Sequence, residues 1–500
     1  MYQSFIGVRR WLGVNLTSFF NLDEVRRVLQ GFNPWWTGRP VTCPKFRRLA
    51  FGVCRRLLED EALRRAVLLA GPRRVGKTTI LLQIADWLVG QGRDPLSVCY
   101  ISLDHPLLKL LPLTDILRLY HDTVYSEGRP VVLLMDEVQY AQEWELHVKA
   151  LVDHQPNYRI LATGSASVVH RQQLAESGVG RWVRVPVPTL SFYEFLKIRD
   201  EEMPKVPTAL SPRDLFGMSR PNLLNLAARL RAIQPLFLRY LIVGGFPETA
   251  RHPDAAFCQR LLREDIVDRV LKRDMIALFK VRNVNALERL FIYLCLHSGG
   301  MLEVTNCANA LQVQRATVDN YLELLEQANL IYRLPPIGLG GKKVLKARYK
   351  VYLVDAALRN AVLQRGEEML NDPDDLGVVV ETTVLRHLIA FSYKDTPRVV
   401  HWRDPVTDLE VDVIVQSPSY ILPVEIKYRE SPSLGESSGL AAYCSQETVT
   451  HAYWVTKRED DFGVEKVGDL ATQFLKIPAH IFCYLLGQAE RVPWEKDSGA

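Results

Sequence analysis

Residues Gly71-Pro72-Arg73-Arg74-Val75-Gly76-Lys77-Thr78 spell a phosphate-binding loop. The loop follows the apolar run Ala66–Ala70 and opens into an amphipathic stretch, Thr79 to Val89. Strand, glycine loop and helix thus come in the order the motif requires. The glycines let backbone N–H groups turn inward around phosphate oxygens. The start of the helix adds the positive end of its dipole. The nucleotide-binding residues are Gly71, Pro72, Arg73, Arg74, Val75, Gly76, Lys77, Thr78 and Thr79. Lys77 can reach the β- and γ-phosphates of ATP, and the Thr78 hydroxyl can ligate Mg²⁺. A chain built around this loop is an α/β protein that binds a nucleoside triphosphate.

A second motif stands where the first requires it. Val131-Val132-Leu133-Leu134-Met135 reads as a buried parallel strand and ends in Asp136-Glu137. An acid at the C-terminal end of such a strand lies beside the phosphate loop. Asp136 is expected to hold Mg²⁺, and Glu137 to orient and deprotonate an attacking water. Two adjacent acids after a buried strand are costly unless a cation or a polar network receives them.

With 500 residues the chain exceeds one ordinary core and suggests about three domains. Residues 1–60 read as an N-terminal helical segment, with Asn33-Pro34-Trp35-Trp36 as a docking corner. Residues 61–200 alternate strands and helices, the pattern of a parallel sheet covered on both faces. Residues 201–280 form an insertion and a helical lid, broken at Gly244-Gly245-Phe246-Pro247. Residues 281–355 read as a helix–turn–helix with a wing, and residues 356–500 as a further α/β domain. The net charge of +5 is too small to identify a partner. Eight scattered cysteines form neither a disulfide framework nor a zinc-spaced cluster. No signal peptide and no window of roughly 20 apolar residues is evident. A cytoplasmic chain with no membrane partner is the expectation.

The wing carries Lys342, Lys343, Lys346, Arg348 and Lys350, a stripe suited to the phosphates of duplex or branched DNA. The same bases also suit a solvated strand face or a protein-packing module. In the C-terminal domain, Leu409–Val415 and Ile421–Tyr428 flank Gln416-Ser417-Pro418-Ser419, a hairpin signal. Alternation places Glu410 and Asp412 on one face of the first strand, and Glu425 and Lys427 on one face of the second. Folding the hairpin brings Asp412 near Glu425, with Glu381 able to join from its helix. Such acids bind a hard cation, Mg²⁺ or Mn²⁺. Lys427 could then activate water and stabilise phosphate charge, the logic of a metal-dependent phosphodiesterase. A surface ion-pair cluster that cuts nothing is the alternative.

Taken with Asp136-Glu137-Val138-Gln139, Trp144, Thr163-Gly164-Ser165, Gly180-Arg181, Leu190-Ser191, Glu194-Phe195 and Gly244–Pro247, the loop resembles prokaryotic AAA+-type ATPases of the AAA_14 family. Glu381, Glu410-Val411-Asp412 and Glu425-Ile426-Lys427 resemble the DUF4143 domain, which looks like a PD-(D/E)xK nuclease fold. The resemblance implies a P-loop AAA+ core with helical lid, a winged helix and a C-terminal nuclease-like α/β domain. It implies that Thr163 and Ser165 act as sensor hydroxyls, and that Arg181 acts as a finger on a neighbouring subunit's nucleotide or makes an ordinary salt bridge. Homo-oligomerisation, with a hexameric ring as the family form, is implied likewise. Two functions follow: an ATP hydrolase coupled to DNA processing, or a regulatory ATP switch whose C-terminal parts bind protein partners.

Overall fold

The computed structural model describes residues 21–164, 180–338, 348–430, 435 and 438–490. These fall into two compact units. The first comprises residues up to Gly71 together with Gly76–Val187, and the second Pro72–Val75 with Pro188 onward. Of the expectations above, Ser165, Lys342, Lys343 and Lys346 lie outside the described residues.

The first unit holds a five-stranded parallel sheet of β1 (Ala66–Ala70), β2 (Val98–Ser102), β3 (Val131–Asp136), β4 (Tyr158–Gly164) and β5 (Trp182–Pro186), in the order β2-β3-β4-β1-β5. Strands β2 and β3 are buried at every position, as the unbroken apolar runs require. The order decides where the chemistry collects. Strand β4 separates β1 from β3, so its end at Thr163 stands between the phosphate loop and Asp136. The N-terminal segment covers the outer edge, β2. Asn33 donates to the Tyr100 carbonyl and accepts from the Tyr100 N–H, at 2.8 and 2.7 Å. The indoles of Trp35 and Trp36 both donate to the Val98 carbonyl, at 2.8 and 2.9 Å. The docking corner therefore satisfies backbone groups that an open edge would leave exposed.

The second unit contains two sheets. The smaller joins β6 (Met301–Leu302), β7 (Ile331–Leu334) and β8 (Tyr349–Leu353) in the order β6-β8-β7. Helices Val284–Leu296, Val304–Leu311 and Arg315–Gln327 accompany it, where a helix–turn–helix was expected. The larger sheet runs β13-β14-β12-β11-β10-β9, built from β9 (Arg398–Arg403), β10 (Glu410–Ser417), β11 (Tyr420–Ile426), β12 (His451–Thr456), β13 (Gly463–Glu465) and β14 (Gln473–Pro478). The expected hairpin is present, with Ser417 paired to Tyr420 across the turn. The segment after β7 bonds β9: His401 donates to the Pro335 carbonyl at 3.0 Å, and Ile337 to the His401 carbonyl at 2.8 Å. The small sheet and the C-terminal sheet are thus stitched together by backbone bonds.

Residues 201–235 carry the helix Arg220–Leu230. One expectation changes. The helical segment Pro373–Asp395, which includes the α-helix Pro373–Ser392, is long and apolar enough to cross a membrane by length and composition, although no such window was expected. It packs as a core helix, burying Arg386 and His387 among its apolar residues. Asp372 caps it, accepting from the N–H groups of Asp374 and Asp375, and Pro373 fits its first turn.

Candidate functional site

The glycine loop leaves β1 and is closed by two backbone constraints. A side chain at Gly71 would meet the Val187 carbonyl oxygen at 2.1 Å, so only glycine fits. Gly76 adopts φ +92°, a left-handed turn that starts the helix Lys77–Gly90. Lys77 is buried and its ammonium donates to the Gly71 carbonyl at 3.0 Å. Pro72–Val75 group with the second unit, where Arg73 pairs with Asp274 at 2.7 Å. Arg74 pairs there with Asp265 at 2.7 Å and Glu248 at 3.2 Å.

Asp136 sits at the end of β3, 4% exposed, with three hydroxyls around it. Thr78 donates to Oδ2 at 2.7 Å and Tyr100 to the same oxygen at 2.9 Å. Thr163 donates to Oδ1 and accepts the Glu137 N–H at 2.9 Å. Burial first, and then the charge of Glu137, push the Asp136 carboxyl above its ordinary value, while the three hydroxyls oppose the rise. Glu137 itself stands in a left-handed conformation, φ +54° and ψ +51°, with its carboxylate bonded to the Gln139 amide. The sequence motifs placed Lys77, Thr78, Asp136, Glu137 and Thr163 together, and the structure does so. Tyr100 was missed; its signal is a lone phenol between Cys99 and Ile101 in a buried strand. Arg181 precedes β5 and binds both oxygens of Asp153, at 2.9 and 3.0 Å.

This donor set fits Mg²⁺. A hydroxyl and a carboxylate lie side by side, both hard oxygens, and none of the three groups on Asp136 carries a positive charge. Thr78 and Asp136 are the residues that would hold the ion.

The second constellation lies in the C-terminal sheet. The register Val413↔Val424 carries Asp412 to the level of Glu425. A register shift between Val411 and Ile414 against β9 marks an irregularity in the stretch that carries Asp412, and such a bulge can re-aim a side chain. Asp412, Glu425 and Lys427 converge as alternation predicts, and Glu381 joins them from its helix. Lys427 lies 2.5 Å from Glu425 and 4.0 Å from Asp412. One expectation fails here. Lys350, read as part of the basic stripe of the wing, is 2% exposed. Its ammonium lies 3.1 Å from Asp412, 3.5 Å from Glu410 and 3.9 Å from Glu381. It cannot reach a DNA phosphate, because β8 turns it into the carboxylates rather than outward. Arg348, just before the strand, pairs with Glu303 at 2.7 Å.

The electrostatics follow the packing. Burial first, and then the charge of Asp412, push the Glu381 carboxyl to about 7 and that of Glu425 to about 8. Burial also works to raise Asp412, but Lys350, Lys427 and the Ile426 N–H outweigh it and hold it below the ordinary range.

Three families match the chain in sequence: AAA_14, an AAA domain, over residues 63–196; DUF8612 over 234–369; and DUF4143 over 376–478. The chain carries an AAA_14 domain and a DUF4143 domain. The AAA_14 domain holds the loop, Asp136, Glu137 and Thr163, and its parallel sheet is a P-loop AAA+ core. The DUF8612 match crosses residue 280, the expected boundary between a helical lid and the helix–turn–helix. An uncharacterized protein of Haemophilus influenzae is 24% identical over 74% of this chain and 84% of its own length. One of Methanocaldococcus jannaschii is 25% identical over 66% and 68%. Among solved structures, AMPPCP-bound DnaA from Aquifex aeolicus is 17% identical, covering 57% of this chain and 89% of that one, at a TM-score of 0.24. C. elegans PCH-2 is also 17% identical, over 41% and 62%, at 0.23.

Proposed function

We propose that the protein is a Mg²⁺-dependent ATP hydrolase whose turnover is coupled to DNA binding by its C-terminal unit. The observation that carries this reading is the chain Thr78–Asp136–Thr163–Glu137, set beside a buried Lys77 at the mouth of a glycine loop. Lys77 exchanges its bond to the Gly71 carbonyl for the terminal phosphates of ATP. Mg²⁺, which Thr78 and Asp136 would hold, would withdraw charge from the phosphates. Thr163 ties the backbone of Glu137 to the side chain of Asp136, so the base is positioned by the residue that faces the cation. The Gln139 amide bonded to the Glu137 carboxylate must release it before water is deprotonated. Ser165 and Arg181 are the further candidates for stabilising transition-state charge, Arg181 from a neighbouring copy in a homo-oligomer. A hexameric ring is the form the family resemblance suggests.

DNA coupling draws support from Lys342, Lys343 and Lys346, which follow the three-helix segment in the sequence. The other reading, a switch that binds protein partners, is favoured by the fate of Arg348 and Lys350, which bind carboxylates of this chain. Eight unpaired cysteines fit a reducing cytoplasm. ATP hydrolysis by the purified protein, alone and with linear, forked or four-way-junction DNA, separates the readings, with Lys77→Ala as the blank. Stimulation by one DNA supports coupling. Hydrolysis indifferent to every DNA favours the protein-partner switch, and none above the blank removes both.

A further inference from the structure

The carboxylates of the C-terminal sheet invite a divalent metal, yet both oxygens of Asp412 and one each of Glu381 and Glu425 are engaged by the protein's own donors. Asp412 Oδ1 accepts from Lys350 at 3.1 Å, and Oδ2 from the Ile426 N–H at 3.0 Å. Glu381 Oε1 accepts from the Tyr352 hydroxyl, and Glu425 Oε1 pairs with Lys427. Within the cluster, Glu425 Oε2 is buried without a partner. Lys350 and Tyr352 lie two apart on β8, so one face of that strand supplies both a cation and a phenol to the cluster. A divalent ion bound by Asp412 and Glu381 would have to share their oxygens with a buried ammonium, at a cost in like-charge repulsion. The residues present therefore do not fit a metal held by Glu381, Asp412 and Glu425.

We propose that Lys350 is the resident cation of this cluster, locking β8 to the C-terminal sheet, and that the cluster takes no Mg²⁺ or Mn²⁺ and cuts no nucleic acid. In this arrangement the nuclease-like residues serve as an internal clamp. Four acids and two ammonium groups meet at one place, and Lys350 contacts three of the acids. Its strand belongs to the small sheet, whereas Asp412 and Glu410 belong to the large one. Any motion of the small sheet must therefore break or carry this pair. The inference does not depend on ATP hydrolysis.

The test is Mn²⁺ binding to the full chain without nucleotide, followed by electron paramagnetic resonance. Asp412→Asn subtracts any ion held elsewhere. The wild type and Asp412→Asn should bind Mn²⁺ alike. Lys350→Met should gain about tenfold or more in affinity at a site that Asp412→Asn then removes. Lys350→Arg keeps the charge and should behave as the wild type. Wild-type binding that Asp412→Asn abolishes would overturn the proposal. So would a Lys350→Met protein that folds and gains nothing, since the exclusion would then not be due to Lys350. If Lys350→Met fails to fold, the wild-type and Asp412→Asn comparison still decides whether the cluster takes the ion.

Discussion

The two acidic sites of this chain are built from opposite surroundings. Asp136 is held by three neutral hydroxyls, from Thr78, Tyr100 and Thr163. Asp412 is held by ammonium groups, Lys350 at 3.1 Å and Lys427 at 4.0 Å. Neutral donors fix a carboxylate in place and leave its charge to be met by something that arrives. Ammonium groups meet the charge from within. A buried acid of the first kind is poised for a cation, and one of the second kind is already paired. The same residue type on a central strand is thus proposed to serve binding in one unit and cohesion in the other.

Changes that strike the first site should cost activity. Lys77→Ala should lower ATP turnover by about 100-fold or more and weaken nucleotide binding, read by phosphate release and by equilibrium titration. Glu137→Gln should keep ATP bound while kcat falls about 100-fold. Normal turnover by that variant would remove Glu137 as the base. Changes at the second site should cost stability instead. Lys350→Met leaves Asp412 and its neighbours without their nearest cation, and the second unit should lose about 3 kcal/mol in urea unfolding with ATP affinity unchanged. A loss below about 1 kcal/mol would mean that the ammonium is a bystander.

Much of this was legible in the sequence, and the exceptions have causes. The strands of the first sheet and the loop are local: continuous apolar runs, glycines at fixed offsets and acids at a strand end. The convergence of Asp412 and Glu425 followed from period-two alternation across a hairpin, which is also local. Lys350 was misread because a basic residue among Lys346 and Arg348 looks solvated until its partner is known. That partner lies 62 residues away on another sheet. Tyr100 was missed for the same reason: its bond to Asp136 depends on β2 lying beside β3, and strand order is not written in either strand.

A pH series sharpens the contrast. Glu425 has its folded pKa raised to about 8, so between the ordinary glutamate range and that value the folded chain binds more protons than the unfolded chain. Stability of the second unit should therefore fall as pH rises from about 5 to about 8. Asp412, held low, contributes in the opposite sense, its share being lost only as pH falls through the acid range. Glu425→Gln should flatten the fall between pH 5 and 8, measured by urea midpoints, and an unchanged slope would assign it to other groups. The smallest effect is expected from Tyr100→Phe. Removing one of three donors to Asp136 should weaken Mg²⁺–ATP binding by about fivefold, the worth of a single hydrogen bond of about 1 kcal/mol.

The most direct measurement of the contrast is a count of Mn²⁺ bound per chain in the presence of AMPPCP. The account predicts one ion, dependent on the nucleotide, lost in Asp136→Asn and retained in Asp412→Asn. A second ion that disappears with Asp412→Asn, or an ion that survives Asp136→Asn, would contradict it.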